Sequence, residues 1–297
     1  MASDNGVPTR PLGTTGVDVS MLCLGGFHIG VPPEEEGIRL IHTAIDSGLT
    51  FMDNAWEYNN NESERRMGVA LAQGGYREKA FLMTKNCAHD RTAKNSMVKL
   101  EESLRRLQTD YLDLWQIHEV TFHDDPERIF APGGAGEAML RAKEQGKVRF
   151  IGFTGHRDPA VLAEMMKRYK TFDTILMPLH IADSGYLSFE RGALREANKL
   201  ELGVQAMKTT ANAKLLQSFS IGECLRYALS LRVHTAALGC TTIGQLEDDV
   251  RIAKAFTPLN DTVMAAMRQR ADRIKGPDLE DWKRNTERAS LYVYAGG

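Results

Sequence analysis

Short apolar runs alternate along the chain with longer segments whose apolar residues recur every three or four positions. Residues 21–24 are apolar throughout, as a strand covered on both faces should be. Comparable runs follow at Phe51–Met52, 80–84, 111–117, 148–153, 172–177, 204–208 and Thr235–Leu238. Helical patterning fills the gaps. Pro33 and three glutamates open a helix that carries Ile38, Leu40, Ile41, Ala44 and Ile45 on one face. Met67, Val69, Ala70 and Leu71 mark a helix starting at Asn61, and Val98, Leu100, Leu104 and Leu107 mark the next. Further helices are predicted over 135–145, ended by Gly146; over 161–169, behind an Asp158-Pro159 cap; and over 190–200, 221–231 and 245–256.

Strand followed by helix, repeated eight times, predicts a parallel sheet with helical crossovers. Periodicity alone permits either a doubly wound sheet or a closed barrel. No linker-like or low-complexity stretch interrupts the units, so 1–297 reads as a single domain, with the repeating part at about 20–256 and an extension at about 257–297. Residues 9–20 predict a small hairpin around a Gly/Thr turn. Residues 25–30 read as a glycine-rich loop, and a longer loop follows His118 through Pro126 and Pro132. A last helix is predicted over 265–274. The tail 276–297, with Trp282, Tyr292 and Tyr294, is too aromatic to be purely disordered and lies over one end of the sheet or along its side.

Composition narrows the function. The chain is 42% hydrophobic and 26% charged with a formal net charge of −2, so no basic surface for nucleic acid is expected. The first residues carry neither a basic region nor an apolar run, which argues against a secretory signal. No apolar run approaches the ~20 residues of a membrane span. Cys23, Cys87, Cys224 and Cys240 are scattered without zinc or cluster spacing, which suits a reduced cytoplasm. His118 to His123 superficially matches HExxH, but the spacing is one residue too long; on a helix the two histidines would differ by ~140°, so no metal is expected there.

Ionisable residues stand at the C-terminal ends of three predicted strands. Asp53 follows Phe51–Met52, Lys85 follows 80–84, and His118 follows 111–117; Tyr58 lies in the loop after Asp53. Parallel barrels place their chemistry at that edge. Singly, each residue has an ordinary reading: a loop cap, a half-buried aromatic, a surface charge and a strand-end histidine. Together, Asp53, Tyr58, Lys85 and His118 resemble the tetrad of the aldo-keto reductase superfamily, and the resemblance runs from about Arg10 to about Phe256. It implies a single (β/α)8 TIM barrel plugged at its N-terminal end by the hairpin. It also implies reduction of an aldehyde or ketone by a nicotinamide cofactor, with Tyr58 as general acid, Lys85 lowering the tyrosine pKa, Asp53 as counter-ion and His118 orienting the carbonyl. Trp56 is expected in the pocket wall.

The same resemblance distributes the cofactor. Gly26, Phe27, His28 and Asp53 would lie by the nicotinamide half. Thr154 and Gly155 stand where a Ser-Asn pair is usual, Met177 where a Gln is usual, and Met207 where a Tyr is usual. Lys208 and Thr209 would face the pyrophosphate. Gly239, Thr241, Thr242, Gln245, Asp248 and Asp249 would line the adenosine end at a helix N-terminus. The glycines make no GxGxxG. NADP(H) is the expected cofactor, with NAD(H) as the alternative, because no cation stands at Gly239, Cys240 or Gln245. The expected partner is a small carbonyl compound, and the expected state a monomer or weak homo-oligomer. A rival reading is a cofactor-binding regulatory or sensor protein on the same fold, as potassium-channel β subunits are.

Overall fold

The computed structural model describes residues 6–284. Strands β1 (Thr9–Pro11) and β2 (Asp18–Ser20) pair antiparallel, with Arg10 opposite Val19. Eight parallel strands then run in chain order: β3 (Leu22–Leu24), β4 (Phe51–Met52), β5 (Phe81–Asn86), β6 (Leu112–Ile117), β7 (Val148–Thr154), β8 (Thr174–Pro178), β9 (Gly203–Met207) and β10 (Thr235–Leu238). Strand β10 returns to pair with β3, Ala237 opposite Cys23, so the sheet is a closed barrel and the doubly wound alternative falls away.

Barrel strands are buried on both faces almost throughout, with Arg149 of β7 exposed, which is why their sequences run largely apolar without alternation. Phe51, Phe81, Met83, Leu114 and Leu176 fill the lumen together with Leu12 and Val19 of the hairpin, which closes the N-terminal end. Residues of opposite parity, such as Met52, Leu82, Trp115, Ile175 and Met177, pack outward against the helices.

Those helices are α1 (Gly26–Ile29), α2 (Glu34–Asp46), α3 (Glu62–Leu71), α4 (Ala93–Leu107), α5 (Asp125–Phe130), α6 (Ala135–Glu144), α7 (Pro159–Arg168), α8 (Ala193–Lys199), α9 (Ile221–Ser230), α10 (Ile243–Lys254) and α11 (Asp261–Ala271). Caps fix several starts: Asp158 accepts from Ala160 N at 2.8 Å, and Ser220 and Glu223 form a reciprocal capping box. Two of the predicted loops contain helices. The Gly25–Gly30 stretch folds into the single turn α1. The segment after His118 contains α5, whose Asp125 carboxylate accepts from Thr121 N and Phe122 N at 2.8 and 2.9 Å. Both are too short to show a helical period.

The described part of the tail docks at the C-terminal rim. Lys283 Nζ, fully buried, donates to Tyr186 O, Leu187 O and Asp183 Oδ1 at 2.8, 3.1 and 3.2 Å and pairs with Glu280. Trp282 meets Lys208 Nζ at 5.2 Å from its ring centre. The tail thus lies against the loops after β8 and β9; Tyr292 and Tyr294 fall outside the described residues. Among the described residues no helix is long and apolar enough to cross a membrane.

Candidate active site

Strand geometry assembles the site. On β5 the lumen-facing parity of Phe81 and Met83 continues to Lys85, and on β6 that of Leu114 continues through Gln116 to His118. Asp53 prolongs β4 by donating its N–H to Leu24 O at 2.9 Å. Beyond it the chain turns sharply. Asn59, Asn60 and Asn61 all take left-handed φ, at 51°, 52° and 71°, a conformation asparagine tolerates better than most residues. That turn presents Tyr58 to the lumen before α3 begins.

The four residues meet. Lys85, 1% exposed, donates from Nζ to Asp53 Oδ1, to Asn54 O at 2.7 Å and to the Tyr58 hydroxyl at 3.1 Å. Asp53 is 6% exposed. The Tyr58 and His118 rings stand edge to face, 5.7 Å between centres, and Phe27 meets Tyr58 in the same way at 5.6 Å. His118 Nδ1 holds Glu57 Oε1 at 2.5 Å, leaving Nε2 for another partner.

Burial dominates the electrostatics. It pushes the Tyr58 phenol up to about 12; Lys85 pulls the other way without overcoming burial, and Asp53 adds to the rise. The expected direction from the cation is present, but the net shift is opposite to the one the sequence suggests. Burial alone would lower the Lys85 pKa, yet Asp53 and Tyr58 outweigh it and raise it. Burial would raise Glu57, but His118 and His89 bring it down to about 2. A phenol that keeps its proton at neutral pH, held against a fixed ammonium, can act as a general acid.

Three groups at the mouth were not singled out in the sequence: Glu57, Glu119 and His156. His156 is driven down to about 3, first by burial and then by Lys208 and Arg157 against the pull of Glu119, whose carboxylate stands 3.6 Å away. Each flanks a residue that was named (Tyr58, His118, Gly155), and adjacency at a strand end is the signal that would have found them.

The cofactor candidates divide. Gly26 is required sterically, since a Cβ there would stand 2.4 Å from the backbone oxygen of Asp53; a Cβ on Gly239 would meet the His28 ring at 2.7 Å, a side chain that would have to move aside. Thr154 faces the lumen but is engaged, its Oγ1 accepting from Glu119 N at 3.4 Å. Gly155 has no room for an asparagine, since a Cβ would meet Leu162 Cδ1 and Val120 O at 2.4 Å. Met207 packs against the lumen cluster. Met177 does not: it is fully buried in the outer layer, and strand alternation gives the lumen to Leu176 instead. Trp56 also departs from the expected pocket wall. Its Nε1 donates to Glu102 Oε2 of α4 at 2.8 Å, and Lys99 and Arg106 lie over its ring, which face turns toward the outer helix.

At the far end, Lys208 adopts a φ of 53° and its Nζ reaches Asn212 Oδ1 at 3.4 Å, with Thr209 buried beside it. Thr242 caps α10, accepting from Gln245 N at 3.3 Å, and Gln245 Oε1 accepts from Thr241 N at 2.9 Å. Asp248 pairs with Arg251 on an exposed face at 2.5 Å. Asp249 turns inward, where Cys240 Sγ donates to it at 3.5 Å and burial raises its pKa to about 6.

That shift makes a stability prediction. The folded pKa lies above the ordinary 3.8, so the fold favours the acid form, and stability falls as pH rises from about 3.8 through about 6. Two units correspond to about 3 kcal/mol. Asp249→Asn should raise the melting temperature at about pH 8 and change it little at about pH 4, as followed by thermal unfolding.

Comparison with known proteins agrees with the barrel fold. The aldo/keto reductase family profile matches residues 21–218. An uncharacterized oxidoreductase of Bacillus subtilis, YrpG, is 32% identical over 276 residues, covering 82% of this chain and 81% of that protein. Among solved structures, the holo form of aldo-keto reductase AKR11C1 from Bacillus halodurans superposes with a TM-score of 0.75 at 24% identity, covering 94% of this chain and 100% of that one. An aldo-keto reductase from Klebsiella pneumoniae in complex with NADPH gives 0.72 at 22% identity, covering 86% and 93%.

Proposed function

Because the chain belongs to the aldo/keto reductase family, we propose that it reduces an aldehyde or ketone to the alcohol with NADP(H), using Tyr58 as the general acid. The observation that carries this reading is the single ammonium of Lys85 bonded to both Asp53 and the Tyr58 hydroxyl. His118, its Nδ1 fixed by Glu57, turns Nε2 to the carbonyl oxygen and orients it. Tyr58 protonates that oxygen as negative charge develops, and Lys85 stabilises the phenolate left behind. Asp53 keeps Lys85 charged at a buried position where an isolated ammonium would shed its proton.

The donor set suits a dinucleotide. Lys208, the Thr209, Thr241 and Thr242 hydroxyls, and the first-turn amides of α10 are groups that hold phosphate oxygens. The bound nicotinamide would supply the hydride. Turnover of a panel of aldehydes and ketones, followed by loss of reduced nicotinamide, tests the reading.

Cofactor choice should be weakly discriminated. Gly239, Cys240 and Gln245 offer no cation to a 2′-phosphate, and Arg251 is engaged by Asp248. Charge-assisted hydrogen bonds are worth roughly 1.5–3 kcal/mol each, so lacking two removes much of the selectivity. The expected kcat/KM ratio favours NADPH over NADH by less than about a thousandfold, equivalent to ~4 kcal/mol. A larger ratio would show that the 2′-phosphate is held elsewhere.

A further inference from the structure

Glu57 uses its two oxygens differently. Oε1 holds His118, while Oε2 faces Cys87 and His89, which follow β5. Cys87 Sγ lies 3.6 Å from His89 Nδ1 and 3.8 Å from Glu57 Oε2, and His89 Nδ1 lies 3.2 Å from Glu57 Oε2. A tetrahedral zinc with a Zn–S bond of about 2.3 Å and Zn–N and Zn–O bonds of about 2.0–2.1 Å sets sulfur ~3.6 Å from each lighter ligand, and those two ~3.3 Å apart. All three separations match to within about 0.3 Å.

We propose that Glu57 Oε2, Cys87 Sγ and His89 Nδ1 form a three-ligand site for a divalent, borderline-soft metal ion of the zinc class, with the fourth position left to solvent or a small ligand. Thiolate, imidazole and carboxylate together select zinc over magnesium or calcium. An ion can enter, since the Glu57 and His89 side chains are 21% and 26% exposed. A second cluster, His180, Asp183 and Glu280, shows the contrast: there the Lys283 ammonium already bonds both carboxylates and replaces any metal. The site escapes a search for ligand spacing because Glu57 comes from a different loop. It stands whether or not the chain is a reductase, and through Glu57 it touches the group that orients His118.

The test is Co2+ titration of the chelator-treated full chain, followed by absorption. The expected result is one Co2+ per chain, tetrahedral d–d bands, a thiolate-to-cobalt charge-transfer band, and displacement of both by Zn2+. Cys87→Ser should lose the charge-transfer band, and His89→Ala should weaken Co2+ binding by on the order of tenfold or more, with far-UV circular dichroism unchanged. Absence of the band in the wild type, or the same band in Cys87→Ser, would overturn the site.

Discussion

Tyr58→Phe should abolish carbonyl reduction while leaving cofactor binding intact. The substitution removes one hydroxyl and keeps the ring, whose contacts with Phe27 and His118 are made by its faces and edges. With a pKa pushed up to about 12, the phenol is protonated throughout the neutral range, and its oxygen accepts a hydrogen bond from Lys85. A general acid of this kind contributes typically ~10²–10⁴-fold in rate. The expected kcat therefore falls by that factor, with the Kd for NADPH changed less than about threefold, as read by nicotinamide fluorescence. Wild-type turnover in the variant would remove Tyr58 from the mechanism.

Lys85→Met should cost both activity and stability. The stem is retained, but the ammonium that bonds Asp53, Asn54 O and Tyr58 is lost. Asp53 would remain as a nearly buried carboxylate without its cation, and breaking such a pair from one side costs about 3–5 kcal/mol. Tyr58 would also lose the ammonium that draws its pKa downward, so the pH profile for alcohol oxidation should move up. Denaturant unfolding separates the effects. The double variant Lys85→Met/Asp53→Asn should recover much of the stability but none of the turnover. Recovery of both would mean that Lys85 acts only as a structural counter-ion.

Much of the architecture is legible along the chain because a parallel barrel buries both faces of every strand. Runs such as 111–117 and 204–208 announce themselves, and the intervening helices show their period. Closure is not legible, since β10 meeting β3 is a contact across the whole chain and periodicity is the same for an open sheet. Asp53, Lys85 and His118 could be expected to face one another because they stand at strand ends, where parity fixes the direction of the side chain; Tyr58 lies in the turn after β4 and was placed only by the resemblance. Met177 was misplaced for the converse reason: a shift of one residue along a strand exchanges lumen for helix layer. Trp56 lies in a turn, where no parity constrains it, and its partners on α4 are distant in sequence. Glu57 is hidden for the same reason, and its importance emerges only when His118, Cys87 and His89 arrive around it.

The most direct test of the proposed chemistry is transfer of deuterium from NADPH labelled at the hydride-donating carbon to a carbonyl substrate, read by mass spectrometry of the alcohol. One deuterium per alcohol, on the former carbonyl carbon, with none transferred by Tyr58→Phe on the same timescale, is the predicted result. Tight NADPH binding with no labelled alcohol from any member of a broad aldehyde and ketone panel would contradict it, and would make the chain a cofactor-binding sensor on a reductase fold.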